Sequence, residues 1–157
     1  MSQTTSSKSK ATVHETRGAA EPSFFELRLR KHADYQCAYN AARKQHGREM
    51  TWFCARRDTM PERRLHPSEL VGGAPYSGPR IGLTVGKVMG KAHDRNRIKR
   101  RMRAAVAMHA GLLAELSVDV ILHPRRSVLT LDWDKLQREV ANVFRAIRKQ
   151  CATPEQI

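Results

Sequence analysis

Seven lysines and arginines crowd thirteen consecutive positions, "KAHDRNRIKRRMR" at residues 91–103, yet Ile98 and Met102 stand four apart inside the run. The same three- and four-residue spacing continues through Ala105, Val106, His109, Leu112, Leu113 and Leu116. An α-helix brings residues so spaced to one side, as a stripe covering about a third of its circumference. Asn96, Lys99, Arg100 and Arg103 then gather on the opposite side, with Arg97 and Arg101 flanking the stripe. The chain must fold so that this helix rests on a core by one side and turns its charge to solvent by the other. The helix is expected to begin after Gly90, with Asp94 as its cap or with the start one turn earlier.

Like charges one turn apart on a helix repel by about 0.2–0.5 kcal/mol per pair, and most of these cations have no acidic residue at i+4 to relieve them. Phosphates would supply the relief. The whole chain repeats the bias, with 29 Lys plus Arg against 15 Asp plus Glu and a net charge of +14. Such a balance selects a polyanionic partner, nucleic acid ahead of an acidic membrane surface. Arginine outnumbers lysine in the cluster, which suits forked contacts to phosphate or to a guanine edge. Asn96 is either one more donor and acceptor among them or an ordinary polar residue of the first turn.

Apolar residues make up 40% of the chain, enough for one modest core. Their longest unbroken runs are only a few residues, too short for a membrane-spanning helix. The opening "MSQTTSSKSKATVHETRG" lacks the apolar stretch of a secretory signal. Cys37, Cys54 and Cys151 contain no CxxC pair and read as reduced thiols, neither a disulfide framework nor a zinc site.

Along the chain, residues 1–22 read as a disordered basic tail and 151–157 as a second, short one, enclosing a domain at 23–150. "SFFELRLRKHADYQCAYNAARK" follows the first tail, with Tyr35, Ala38, Tyr39 and Ala42 on a helical stripe. "MTWFCARR" is a β-favouring run. Residues 57–79 hold four prolines and three glycines without a sustained period, the mark of a flexible insertion. "RIGLTVG" at 80–86 reads as a strand with Ile81, Leu83 and Val85 on one face, and "VDVILHP" at 118–124 as a strand closed by Pro124. A last helix is expected from a cap at Asp132, burying Trp133, Leu136, Val140, Val143, Phe144 and Ile147. The order helix, strands, helix, strand, helix gives a small α/β sandwich.

Tyr35 and Tyr39 lie one turn apart on the first helix with Arg43 beyond them. Two readings fit them equally: exposed rings on which unpaired bases stack, or core aromatics. No zinc finger, zipper or helix-turn-helix pattern accompanies the charge. Nor is there a carboxylate cluster or an HExxH arrangement. Asp132 and Asp134 suit a helix start, and His93 and His109 stand sixteen residues apart. The residues offer a binding surface and no protein active site.

"RIGLTVGKVMGKAHDRNRIKRRMRAAV" resembles the signature of the bacterial ribonuclease P protein family, in which Arg-Asn-Arg-x-Lys-Arg-x-x-Arg follows a strand, a lysine-containing turn and a glycine. Arg95, Asn96, Arg97, Lys99, Arg100 and Arg103 meet every fixed position of that pattern. "RLRKHADYQCAYNAAR" is similar to the family's first helix, and the resemblance runs over about 27–149 apart from the insertion. Ala42 departs from a frequent Gly, Gly86 and Val88 replace a usual Ser and Lys around Lys87, and the insertion is longer than usual.

The resemblance implies an α+β fold: a small two-layer α/β sandwich (ribosomal protein S5 domain 2-like) with a left-handed βαβ crossover, against the general right-handed rule. It implies a protein subunit of a bacterial, cytoplasmic endoribonuclease whose chemistry is performed by a catalytic RNA with Mg²⁺ bound mainly by that RNA and the substrate. The substrate is precursor tRNA, and the product is the mature 5′ end. Lys87, Lys91, Arg95, Asn96, Arg97, Lys99, Arg100 and Arg103 would bind the RNA subunit. Tyr35, Tyr39, Arg43 and Phe53 would line a cleft for the 5′ leader. No catalytic or metal-binding residue, membrane or protein partner is implied. A ribosomal or other structural RNA-binding protein is the alternative, and a DNA-binding protein comes third.

Overall fold

The computed structural model describes residues 23–59, 70–71, 74–75 and 77–152, so the expected tail at 1–22, most of the second tail and much of the insertion lie outside the described residues. In chain order the elements are a single turn α1 (Phe24–Leu27), α2 (His32–Ala41), β1 (Lys44–His46) and β2 (Met50–Arg56). The two-residue strands β3 (Leu70–Val71) and β4 (Ala74–Pro75) follow, then β5 (Arg80–Leu83), α3 (Ala92–His109), β6 (Val118–Pro124) and α4 (Trp133–Ala152).

Strand β6 is the centre of the fold because it is apolar enough to be covered on both faces: of its seven residues only His123 is not fully buried. It pairs antiparallel with β2 and parallel with β5, giving the sheet order β1-β2-β6-β5. The chain passes from β5 to its parallel neighbour β6 through α3. Side chains alternate across the sheet. Met50 and Trp52 of β2, Ile81 of β5 and Val118, Val120 and Leu122 of β6 share one core with Ile98, Met102 and Val106 of α3 and Leu136, Val140, Phe144 and Ile147 of α4. The α+β sandwich expected from the sequence is this layer of α3 and α4 on the sheet. The opposite face is partly covered too, since Ala55 and Ile121 pack with Leu29 and with Ala38 of α2.

Local structure departs from expectation where a segment finds a partner distant in sequence. The run at 23–44 is not one helix: Leu29 donates its N–H to Ile81 O at 3.0 Å and Arg28 bridges Ile81, so residues between α1 and α2 extend along the edge of β5. Strand β5 ends at Leu83, short of the expected 86, although Val85 still reaches the core. The long stripe also divides, α3 ending at His109 and a 3₁₀ turn spanning Ala110–Leu113. Ala42 needs no glycine freedom, because it leaves α2 at φ −119°, in extended backbone.

Cysteines scattered in sequence are not all scattered in space. Cys54 and Cys151 pack against the same core, and burial first, then the adjacent Cys151 thiol, pushes Cys54 up.

The insertion leaves and re-enters at one point. Arg57 and Arg80 converge on Asp119, which is 0% exposed, with Arg57 Nη1 at 2.8 Å and Arg80 Nη2 at 2.7 Å from its carboxylate. Arg57 also donates to Val118 O at 2.9 Å and to Gly78 O, and Ser117 Oγ donates to Ser77 O at 2.6 Å. A buried carboxylate shared by two guanidiniums holds both ends of the excursion at the start of β6.

Candidate nucleic-acid interface

The basic helix is seated by its stripe: Ile98, Met102, Ala105 and Val106 are all 0% exposed. Its entry is a tight turn at Gly90, whose φ of +124° is a conformation that residues with a Cβ rarely adopt. Arg126 Nη1 donates to Met89 O at 3.3 Å across this turn. Lys91, not Asp94, is the N-cap; Asp94 lies in the first turn, where its negative charge complements the helix dipole.

Lys87 stands exposed in the turn Lys87–Met89, beside Val88. Lys91, Asn96, Arg97, Arg100 and Arg103 are exposed, and Arg95 and Lys99 partly so. The Nε of Arg95 is buried without a hydrogen-bond partner. Arg101, placed by its spacing beside Arg97 at the edge of the stripe, is turned inward. Its guanidinium donates to Val128 O and Leu131 O, tying α3 to the segment before α4. Burial, then Arg97, lowers its pKa, and Asp132 opposes them. Arg101 is therefore a structural residue, and the surface presented to a ligand is the one expected without it.

On the other face of the sheet, α2 and the strands enclose an aromatic groove. Tyr39 lies edge-on to Phe53, with ring centroids 4.8 Å apart at 87°. Its hydroxyl is 2.9 Å from His123 Nε2 and 3.3 Å from Thr84 Oγ1. Tyr35 donates to Leu29 O at 3.4 Å, and burial raises its phenol pKa. Both tyrosines and Phe53 are half-buried, so each is at once packed against the small cluster of Leu29, Ala38, Ala55 and Ile121 and partly accessible to solvent. The two readings that the sequence left open are thus not exclusive. Arg43 is exposed just past α2.

His123 and Thr84 were not singled out from sequence. The signal was present in alternation: in "VDVILHP" the residues opposite Val118, Val120 and Leu122 are Asp119, Ile121 and His123. Burial, aided by Lys44, lowers the His123 pKa, so the fold favours its neutral ring. No three His, Cys, Asp or Glu side chains converge among the described residues, and no described helix is long and apolar enough to cross a membrane.

A small α+β domain with a one-signed basic helix on one layer and aromatics on the opposite face has the features of an RNA-binding protein. The Ribonuclease P family model matches residues 25–148. Over 115 residues the chain is 31% identical to the ribonuclease P protein component of Brucella melitensis biotype 1, covering 73% of this chain and 75% of that protein. The RNase P protein of Staphylococcus aureus superposes with a TM-score of 0.58 at 22% identity, over 76% of this chain and 94% of that one. That of Thermotoga maritima gives 0.59 at 18%, over 76% and 96%. The chain belongs to the ribonuclease P protein family. Its role is that of the protein subunit of ribonuclease P in tRNA processing, and the alternative of a structural RNA-binding protein without processing activity is set aside.

Proposed function

We propose that the two surfaces divide the work of the subunit. Lys87, Lys91, Arg95, Asn96, Arg97, Lys99, Arg100 and Arg103 bind the catalytic RNA, and Tyr35, Tyr39, Arg43 and Phe53, joined by His123, hold the 5′ leader of precursor tRNA. The RNA subunit performs the hydrolysis with Mg²⁺ held mainly by RNA and substrate; the protein contributes binding and orientation. One observation carries this division: the basic side of α3 and the aromatic groove belong to opposite faces of one sheet, so both can be occupied together.

The chemistry of each surface suits its ligand. Guanidiniums and ammoniums neutralise a folded RNA's phosphates without regard to base. Half-open rings accept an unpaired strand by stacking, which is tolerant of sequence. Reconstitution with a bacterial ribonuclease P RNA at limiting Mg²⁺ tests the reading. Leader removal faster than by RNA alone, with tighter binding of precursor than of mature tRNA, is expected. Binding to the RNA with neither effect would refute the leader-cleft assignment.

A further inference from the structure

The aromatic residues before α2 lie outside both surfaces described so far. Phe25 is 64% exposed. The guanidinium carbon of Arg30 sits 4.5 Å from its ring centroid, and Arg30 Nη2 donates to Phe25 O at 3.2 Å. Exposure of this kind at the end of a frayed segment would mean little, but this segment is held. Leu27 and Leu29 are 2% and 1% exposed, and Leu29 is hydrogen-bonded to β5. The adjacent Phe24 packs against the main core, and Arg103 of α3 brings its guanidinium to 5.8 Å from the Phe24 ring centroid. Glu26, the one acidic residue of the turn, directs its carboxylate back to the Ser23 N–H at 3.2 Å.

We propose that Phe25, backed by Arg30, is a stacking seat for one unpaired nucleobase of the RNA subunit, extending the α3 surface past Arg103. The inference rests on the assignment of α3 to that RNA. Three observations select this occupant. Arg103 and Arg30 flank the pair of phenylalanines, so phosphates on either side of a seated base meet positive charge. Phe24, next to the seat, packs against the main core and meets Arg103 of α3, whereas the groove offered to the leader is on the other face of the sheet. A ring already carrying a guanidinium presents a flat, preorganised platform, and bases stack on aromatic rings and guanidinium planes alike.

The experiment uses the full chain, ribonuclease P RNA, and precursor and mature tRNA. Phe25→Ala is expected to weaken RNA-subunit binding roughly five- to a hundred-fold, with unchanged melting temperature and an unchanged salt slope, because the lost contact is not ionic. Phe25→Trp should bind as wild type. In the free protein its emission should be that of an exposed indole, over the background of Trp52 and Trp133, and RNA subunit should quench it. Normal RNA affinity of Phe25→Ala, while Arg100→Ala still lowers the slope, would overturn the seat and leave the function of α3 intact. Failure of the wild type to bind the RNA would overturn both. Loss confined to precursor tRNA would make the leader the occupant, and buried emission from Phe25→Trp before RNA is added would make it the chain's own terminal segment; either result ends the proposal.

Discussion

Gly82 lies within a strand, where glycine ordinarily weakens pairing, because Tyr35 occupies the space above it. A Cβ there would stand 2.6 Å from the Tyr35 hydroxyl and 2.7 Å from its ring carbons. Gly82→Ala must displace the ring, at a cost of about 1–3 kcal/mol, and should weaken precursor tRNA binding more than mature. At Gly86 the nearest atom to a Cβ is 3.9 Å away, so Gly86→Ala is the matched control. Equal melting temperatures for the two variants would contradict the contact. His123 adds a pH dependence to the same groove. Its folded pKa lies below the ordinary 6.5, through burial and then Lys44. The unfolded chain therefore takes up the proton first as pH falls. The stabilisation is complete above 6.5 and is lost as pH drops through the window down to the depressed folded value. Wild type should lose melting temperature from about pH 7 to pH 5 more steeply than His123→Gln, and parallel curves would show that the ring does not titrate this way.

Within α3, neighbouring arginines have opposite employments. Arg100 faces solvent, whereas Arg101 donates to Val128 O and Leu131 O. Arg101→Ala should cost about 1–3 kcal/mol, since two part-buried carbonyls lose a charged donor, and should leave the salt dependence of RNA binding nearly unchanged. Arg100→Ala should keep its melting temperature and reduce the slope of log K against log salt by about 0.7–0.9. Thermal melts beside salt titrations separate the two, and a reversal of the pattern would reassign them. Periodicity set Arg101 at the edge of the stripe beside Arg97 and Arg100 opposite it, but could not show that Arg101 turns inward, because the carbonyls that claim it are 27 and 30 residues away. The same limit hid the extended link between α1 and α2, where pairing with β5 overrides a sequence that reads as helix.

For the whole molecule, Asp119 is the point on which the insertion closes. Asp119→Ala removes the buried carboxylate that Arg57 and Arg80 share. Because Arg80 keeps Asp34 at 3.4 Å and Arg57 keeps carbonyl acceptors, it should cost about 3 kcal/mol, the low end for breaking a buried pair. Asp58, paired with Arg56 at the surface with both side chains more than 40% exposed, should cost less than about 1 kcal/mol when replaced by Ala. Denaturant unfolding of the two variants measures the difference, and comparable losses would deny Asp119 its special place. The sheet also keeps the basic side of α3 and the aromatic cluster on opposite faces, so on the proposed division RNA subunit and leader would not compete.

What the sequence determined by itself was everything carried by local period and local charge. The stripe under the basic helix, the alternation of β6 and the apolar side of α4 follow from backbone geometry, which repeats side-chain direction every 3.6 or 2 residues whatever the tertiary context. The exposed cations of α3 on the side opposite the stripe followed as well, since that side of the helix turns away from the core. The tertiary structure alone decided which residues meet across distance. It joined Tyr39 to Thr84 and His123, 45 and 84 positions on, and drew Arg57 and Arg80 to Asp119. It also turned Arg101 inward and set Phe24 beside Arg103. Those contacts depend on how the elements pack, and no local period encodes the packing.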